Sequence, residues 1–234
     1  DKVFDTVLTN VLITTFACNS LICTGSSELD STVIRAEQLS YISNSGIKIG
    51  SSDVSVQIMT MSQINDTVGL SLDQSVLKTV DLNLSNVFNS SAIVSVERSS
   101  LISVNLNLNL TSGLSFNNSD IRVTNFNSNG HVDITISLTE SIVYITTLNG
   151  NDDLRWISDH STVSIENLLR AGTISGDFIS ATNRSEIIIS GGIFHNTGNF
   201  VSLTNRSRGS FSDLDILNAE RIIYGDSDSI SLTN

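Results

Sequence analysis

The sequence predicts an all-β fold: a single-stranded parallel β-helix (β-solenoid) of about ten coils with about 22 residues per coil. Three observations carry that expectation. The tetrapeptide Thr182-Asn183-Arg184-Ser185 recurs as Thr204-Asn205-Arg206-Ser207, an offset of 22 residues. Apolar residues share the offset: Ile134, Trp156, Phe178, Phe200 and Ile222 form one column, and Ile157, Ile179, Val201 and Ile223 form its neighbour. Within each repeat, apolar and polar residues alternate, as in "VNLNLNL" (Val104–Leu110) and "VDITISL" (Val132–Leu138). That is the period of two expected of a strand burying one face. A coil this short cannot bury its inner face alone, so each must stack on the next. Ten coils at the strand spacing make a rod roughly 50 Å long.

Taken along the chain, residues 1–53 read as less regular N-terminal coils and residues 54–234 as regular coils, all within one solenoid domain spanning 1–234. In the first stretch, Cys18 and Cys23 of "FACNSLIC" read either as a local disulfide formed in an oxidising compartment or as two buried thiols. Two cysteines fall short of the four ligands that a structural zinc site takes. Ile58, Val80 and Ile102 open the regular part. Further columns follow: Leu72, Val94, Phe116 and Leu138; Leu82, Val104, Phe126 and Leu148; Phe88, Leu110, Val132 and Leu154; Ile121, Val143, Ile165 and Ile187. The first residue is Asp1 rather than Met, which reads as a processed mature chain or a fragment from which any signal peptide has gone.

Composition bounds the partners. Serine (40), asparagine (24) and threonine (21) dominate and proline is absent, a balance suited to short strands and tight polar turns. A net charge of −12 argues against a nucleic-acid partner and against a polybasic membrane contact. No apolar run reaches the length of about 18 residues that spans a bilayer as a helix.

The 22-residue coils of residues 54–234 resemble the parallel β-helices of the pectate-lyase-like superfamily, which implies right-handed coils. "GGIFHN" (Gly191–Asn196) and "FNSN" (Phe126–Asn129) resemble the GGxI and FxxN repeat motifs of polymorphic outer-membrane adhesins. An enzyme of this fold gathers carboxylates and cationic side chains on one face, because most glycosidic hydrolysis takes two carboxyl groups flanking the bond. The best local candidate is "GNDDLRWISDH", which holds Asp152, Asp153, Arg155, Asp159 and His160. Trp156 in its midst either stacks on a sugar or fills a core column, and the column favours the core. Separated Asp pairs followed by Gly-His-Gly, the pectinase-type pattern, are missing. The histidines, His131, His160 and His195, lack metal-ligand spacing, and "DSDS" (Asp226–Ser229) reads as a solvated loop rather than a calcium site. No metal and no cofactor is expected.

Seven Asn-X-Ser/Thr sequons start at Asn65, Asn83, Asn89, Asn109, Asn117, Asn183 and Asn205. They read as N-glycosylation sites or, at solenoid corners, as amides bonded to the coils above and below. At the fixed offset Asn117, Asn183 and Asn205 fall in one small, polar corner column with Ser95, Thr139, Ser161 and Ser227, while Asn83, Asn105, Asn127 and Asn149 form an outward-facing column. The end of a solenoid exposes unpaired strand edges that recruit other chains. The expectation is a non-enzymatic, extracellular, structural or adhesive glycoprotein carrying covalent N-glycans, a filament subunit associating head to tail with itself or part of a longer surface protein. A polysaccharide lyase or glycoside hydrolase, and a bacterial adhesin passenger, are the alternatives.

Overall fold

The computed structural model describes residues 2–4, 8–9, 21–23, 27–31, 33–42, 47–62, 69–85, 94–109, 113–128, 134–150, 154–172, 176–196, 198–225 and 229–233. Each coil lays one short strand into one sheet and one long strand into another. Leu114–Asn117 and Asp120–Ser128 make one such coil. Between the ends of the stack, strands pair in parallel with their counterparts in the coils before and after, as Ser100↔Asp120 and Asp120↔Ile142 show. Among the described residues, eleven strands stack in the sheet of short strands and twelve along the main path of the other. The chain is a parallel β-solenoid with turns about 22 residues apart, and its coil count differs slightly from the ten expected.

Short strands alternate simply, with Val94 and Val96 inward and Ser95 and Glu97 outward. In the long strands the alternation slips once. Within Ser100–Asn109, Leu101 and Ser103 face inward, Val104 and Asn105 both face outward, and Leu106 and Leu108 face inward again. Two outward residues in succession mean that the strand bends there and lines two walls. The backbone register skips the same place, passing from Ser103↔Val123 to Asn105↔Asn125. In later coils the bend becomes a break between Glu186–Ile189 and Gly192–Asn196. Gly192 sits there at φ 120°, where a Cβ would run into the backbone of Leu168.

The core is a stack of apolar columns, but their register differs from a fixed 22-residue offset. Leu77, Leu101, Ile121, Val143, Val163 and Ile187 form one column, in which Val163 takes the place expected for Ile165. Leu82, Leu106, Phe126 and Leu148 form another, and the expected member Val104 points to solvent. Leu72 stacks on Val96 rather than Val94. Ile134 stacks on Leu154, while Trp156 lies between Ile136 and Ile179. Val80, Ile102 and Ile157 are likewise exposed. Slips of two residues leave Ile165, Val94 and Ile134 on inward faces, whereas Val104 falls at the bend and faces out. Towards the C-terminal coils the core becomes aromatic: Phe194 lies 5.3 Å from Phe178 and 4.8 Å from Phe200, and Phe200 lies 5.5 Å from Phe211.

The corner between short and long strand explains both the slips and the stacking. It consists of one residue in the left-handed conformation followed by a buried serine. Ser51, Gln74, Arg98, Asn118, Glu140 and His160 hold φ between 48° and 50°, and Ser52, Ser75, Ser99, Ser119, Ser141 and Ser161 follow them. Each serine hydroxyl donates to the carbonyl two residues back, at 2.6–2.8 Å. The same oxygen accepts the N–H of the serine one coil earlier, in a chain running without a gap from Ser52 to Ser185. The spacing between successive rungs is 23, 24, 20, 22, 20 and 24 residues. A left-handed non-glycine residue costs about 1–2 kcal/mol. The hydroxyl offsets this by satisfying buried backbone groups that a tight corner would otherwise orphan.

At the two TNRS corners the turn gains a residue. Asn183 and Arg184 both adopt positive φ, as do Asn205 and Arg206. Ser185 and Ser207 therefore donate three residues back, to Thr182 O and Thr204 O, each at 2.7 Å.

Parallel pairing extends into the first 53 residues, through Lys2–Phe4, Leu21–Cys23 and Val33–Ile42. Cys18 and the Cys23 side chain lie outside the described residues, and with them the expected disulfide. In the last coil the Tyr224 hydroxyl donates to both carboxylate oxygens of Asp177, at 2.6 and 2.7 Å, across two coils. That hydrogen bond, and next the phenol's burial, raise the Tyr224 pKa above its ordinary value.

Ser119→Ala tests the corner. It removes the acceptor of the Ser99 N–H and the donor to Asn117 O, leaving buried backbone groups unpaired. Urea unfolding is expected to show a loss of about 1–3 kcal/mol, against less than about 0.5 kcal/mol for the outward-facing Ser115→Ala.

Candidate functional site

The outer surface carries two amide ladders on one wall. Asn105 Nδ2 donates to Asp81 Oδ1 at 2.6 Å, and Asn125 Nδ2 donates to Asn105 Oδ1 at 2.8 Å. Beside it, Asn107 donates to Asn83 at 2.8 Å and Asn127 to Asn107 at 2.9 Å. All six side chains are half-buried and face outward. The register therefore joins Asn83, Asn107, Asn127 and Asn149. Asn105, expected in that column, belongs to the neighbouring one. Asn and Asp two residues apart on a strand share a face, and parallel stacking sets each amide directly over the last. The first ladder starts on a carboxylate, whose charge strengthens the first bond.

Three sequons coincide with the serine corners. The hydroxyl residues of the Asn117, Asn183 and Asn205 sequons are Ser119, Ser185 and Ser207, all buried. Asn tolerates the left-handed turn that Asn183 and Asn205 occupy, so the corner alone accounts for Asn-Arg-Ser. Asn205 Nδ2 donates to Asn183 Oδ1 at 3.3 Å, and Asn183 Nδ2 donates to Asp159 Oδ1 at 2.8 Å. Asn117 is not in that column. It pairs with Thr139, which pairs with Asp159, which pairs with Thr182. Ser161, also expected there, is an inward rung of the serine chain, and Ser95 pairs with Ser115 in mid-wall. Asn109 ends a long strand and is exposed, as is Asn117. Asn65, Asn89 and Ser227 lie outside the described residues.

The acid–base candidates do not form one described cluster. Asp152 and Asp153 lie outside the described residues. Arg155 and Asp159 stand near opposite ends of the strand Leu154–Asp159, about 13 Å apart along an extended backbone. His160 Nδ1 lies 3.0 Å from Asp159 Oδ1, but the same oxygen also accepts the Asn183 amide. Trp156 is 1% exposed and packs 5.9 Å from Phe126, so the core takes it and no sugar can stack on it. No group of three or more metal-ligating side chains occurs among the described residues. The Asp226 and Asp228 carboxylates lie outside them.

One further cluster lies outside the sequence-predicted candidates. Arg184, Glu186, Arg206 and Arg208 line a cleft of about 430 Å³ beside the TNRS corners. Its signal was present: the repeated tetrapeptide carries an arginine, and Glu186 and Arg208 follow two residues after the arginines, in register.

Ladder, corner and parallel walls together define the class, a β-solenoid with a serine-bonded corner. Comparison with family models, with curated proteins and with solved structures finds no match for this chain.

Two measurements follow from these placements. Fluorescence of the single tryptophan is expected at short wavelength, shielded from acrylamide and unchanged by added oligosaccharides. Asn107→Ala, which cuts one amide ladder at its middle, is expected to cost about 1 kcal/mol in thermal or urea unfolding.

Proposed function

We propose that the chain is a non-enzymatic structural or adhesive rod of the extracellular space, a β-solenoid glycoprotein that builds filaments by end-to-end stacking. The observation that carries the reading is the uninterrupted serine corner, with backbone pairing continuous along both sheets. Such a body resists extension along its axis because every coil is bonded to two neighbours, and the described outer walls are given to amide ladders rather than to a gathered catalytic group. Kinship with the pectate-lyase-like β-helices belongs to the same proposal.

The last described coil supports the filament part. Ile230 and Leu232 are 47% and 65% exposed, and among the described residues Ser229–Thr233 pairs with Arg208–Ser212 alone. A parallel edge with apolar side chains accepts another coil in register, from further along the same chain or from a second copy. Unlike ends meeting head to tail generate an open filament. Asn109 and Asn117 are the sequons we assign to glycans, because both side chains are exposed and stand outside the corner amide chain; Asn183 and Asn205 are assigned to that chain, which engages the Nδ2 of each.

Electron microscopy of the purified 234-residue chain tests the filament, with rods expected to join end to end as concentration rises. Monodisperse single rods at high concentration would contradict it. Intact mass of secreted protein before and after deglycosylation tests the glycans: a mass loss is expected that shrinks by two glycans in the Asn109→Gln/Asn117→Gln double variant.

A further inference from the structure

The cleft beside the TNRS corners is electrostatically unlike the rest of the molecule. The chain carries −12 overall, yet three of its nine arginines face this one space with a single carboxylate, Glu186. Three other arginines are neutralised where they stand. Arg35 pairs with Asp53 at 2.9 Å, Arg98 with Asp73 at 2.8 Å and Arg122 with Asp120 at 2.9 Å. Among the described residues, Arg184, Arg206 and Arg208 form no ion pair, and none is formed by Glu186 in their midst.

Backbone geometry holds these cations together. Arg184 and Arg206 are the second residues of identical left-handed turns, at φ 66° and 67°, so their side chains leave successive coils in the same direction. The Arg184 N–H donates to Asn205 O at 3.0 Å, which locks one turn against the other. Two residues on, Glu186 and Arg208 are paired in the long-strand sheet. The result is a two-by-two array with rungs roughly 4.8 Å apart, three corners positive and one negative, for a net charge of +2.

We propose that this array is a binding site for a phosphate group, as free phosphate or as the monoester of a hydroxyl-bearing compound. A net charge of +2 matches a dianion rather than a singly charged carboxylate. Guanidinium forks arriving from two coils can each meet a pair of oxygens on a tetrahedral oxyanion. The Glu186 carboxylate is an acceptor at the edge of the site, suited to a ligand hydroxyl. The site does not depend on filament formation or on glycosylation, and its failure would leave the structural reading untouched.

Isothermal titration of the whole chain with inorganic phosphate, at low ionic strength, tests the proposal. Binding is expected to tighten as pH rises from about 5 to about 8.5, because the second proton of a phosphate monoester leaves near pH 6 and that of inorganic phosphate about one unit higher, and to weaken as salt is added. Arg206→Gln and Arg208→Gln are each expected to weaken binding about tenfold, while Arg122→Gln, already paired elsewhere, leaves it unchanged. All three side chains are exposed, and circular dichroism melting confirms that each variant keeps the fold. Glucose 1-phosphate distinguishes the sources: binding tighter than inorganic phosphate assigns the site to monoesters, and weaker binding assigns it to free phosphate. No phosphate binding at millimolar concentration, equal binding by the arginine variants, or a pH-independent preference for galacturonate would each overturn the proposal.

Discussion

The bond from one buried serine hydroxyl to the backbone of the coil beneath it is the constraint on which the rest of the solenoid depends. A parallel coil must turn sharply between its walls, and every sharp turn strands backbone N–H and C=O groups away from their ladder partners. Water cannot repair this at a corner whose side chain points inward. Serine can, because one small oxygen both donates and accepts. Ser119 shows the whole device: it donates to Asn117 O, lies 3.1 Å from Val96 O and accepts the Ser99 N–H. Alanine would leave the groups orphaned, and a larger polar residue would displace the core beside it.

With that corner fixed, coil length is free to vary elsewhere. Rung spacing ranges from 20 to 24 residues without disturbing the stack, because the linking segments between long and short strands absorb the difference. The walls then inherit their order from the corner. Inward columns fill with Leu, Ile, Val and, towards the C-terminal coils, phenylalanine. Outward columns bring amides into register, so that Asp81, Asn105 and Asn125 become a chain of hydrogen bonds. The arginine array arises in the same way. An added turn residue on two successive coils repeats one side-chain direction twice.

The fold class was legible because strand alternation and a repeat near 22 residues survive any small error of register. The particular neighbours were not. A fixed offset placed Val104 in the core and Ser161 in one corner column with Asn117 and Asn183, whereas the structure exposes the first and makes the second a buried rung of the corner. The serine that precedes every long strand from Asp53 onward was visible in the sequence, but in a chain with 40 serines its uneven spacing hid it. "TNRS" was correctly read as one corner seen twice. Its asparagine and serine are explained by the turn and the rung, and its arginine is left over for the cleft. Trp156 was placed in the core from its column, and it is buried there although its stacking partners are Ile136 and Ile179. The acid–base candidates could not be judged from proximity in sequence, because a strand carries Arg155 and Asp159 apart while it brings Asp159 to Asn183 of the next coil.

Native-state amide hydrogen exchange tests the central claim most directly. The N–H groups of Ser75, Ser99, Ser119 and Ser141 sit at turns, where exchange is ordinarily fast, yet each is bonded to the hydroxyl of the next rung. The account expects them to exchange as slowly as the wall centres at Leu106 and Phe126, through global unfolding alone. Exchange at the rate of an exposed turn would show that the corner hydroxyls do not hold the coils together.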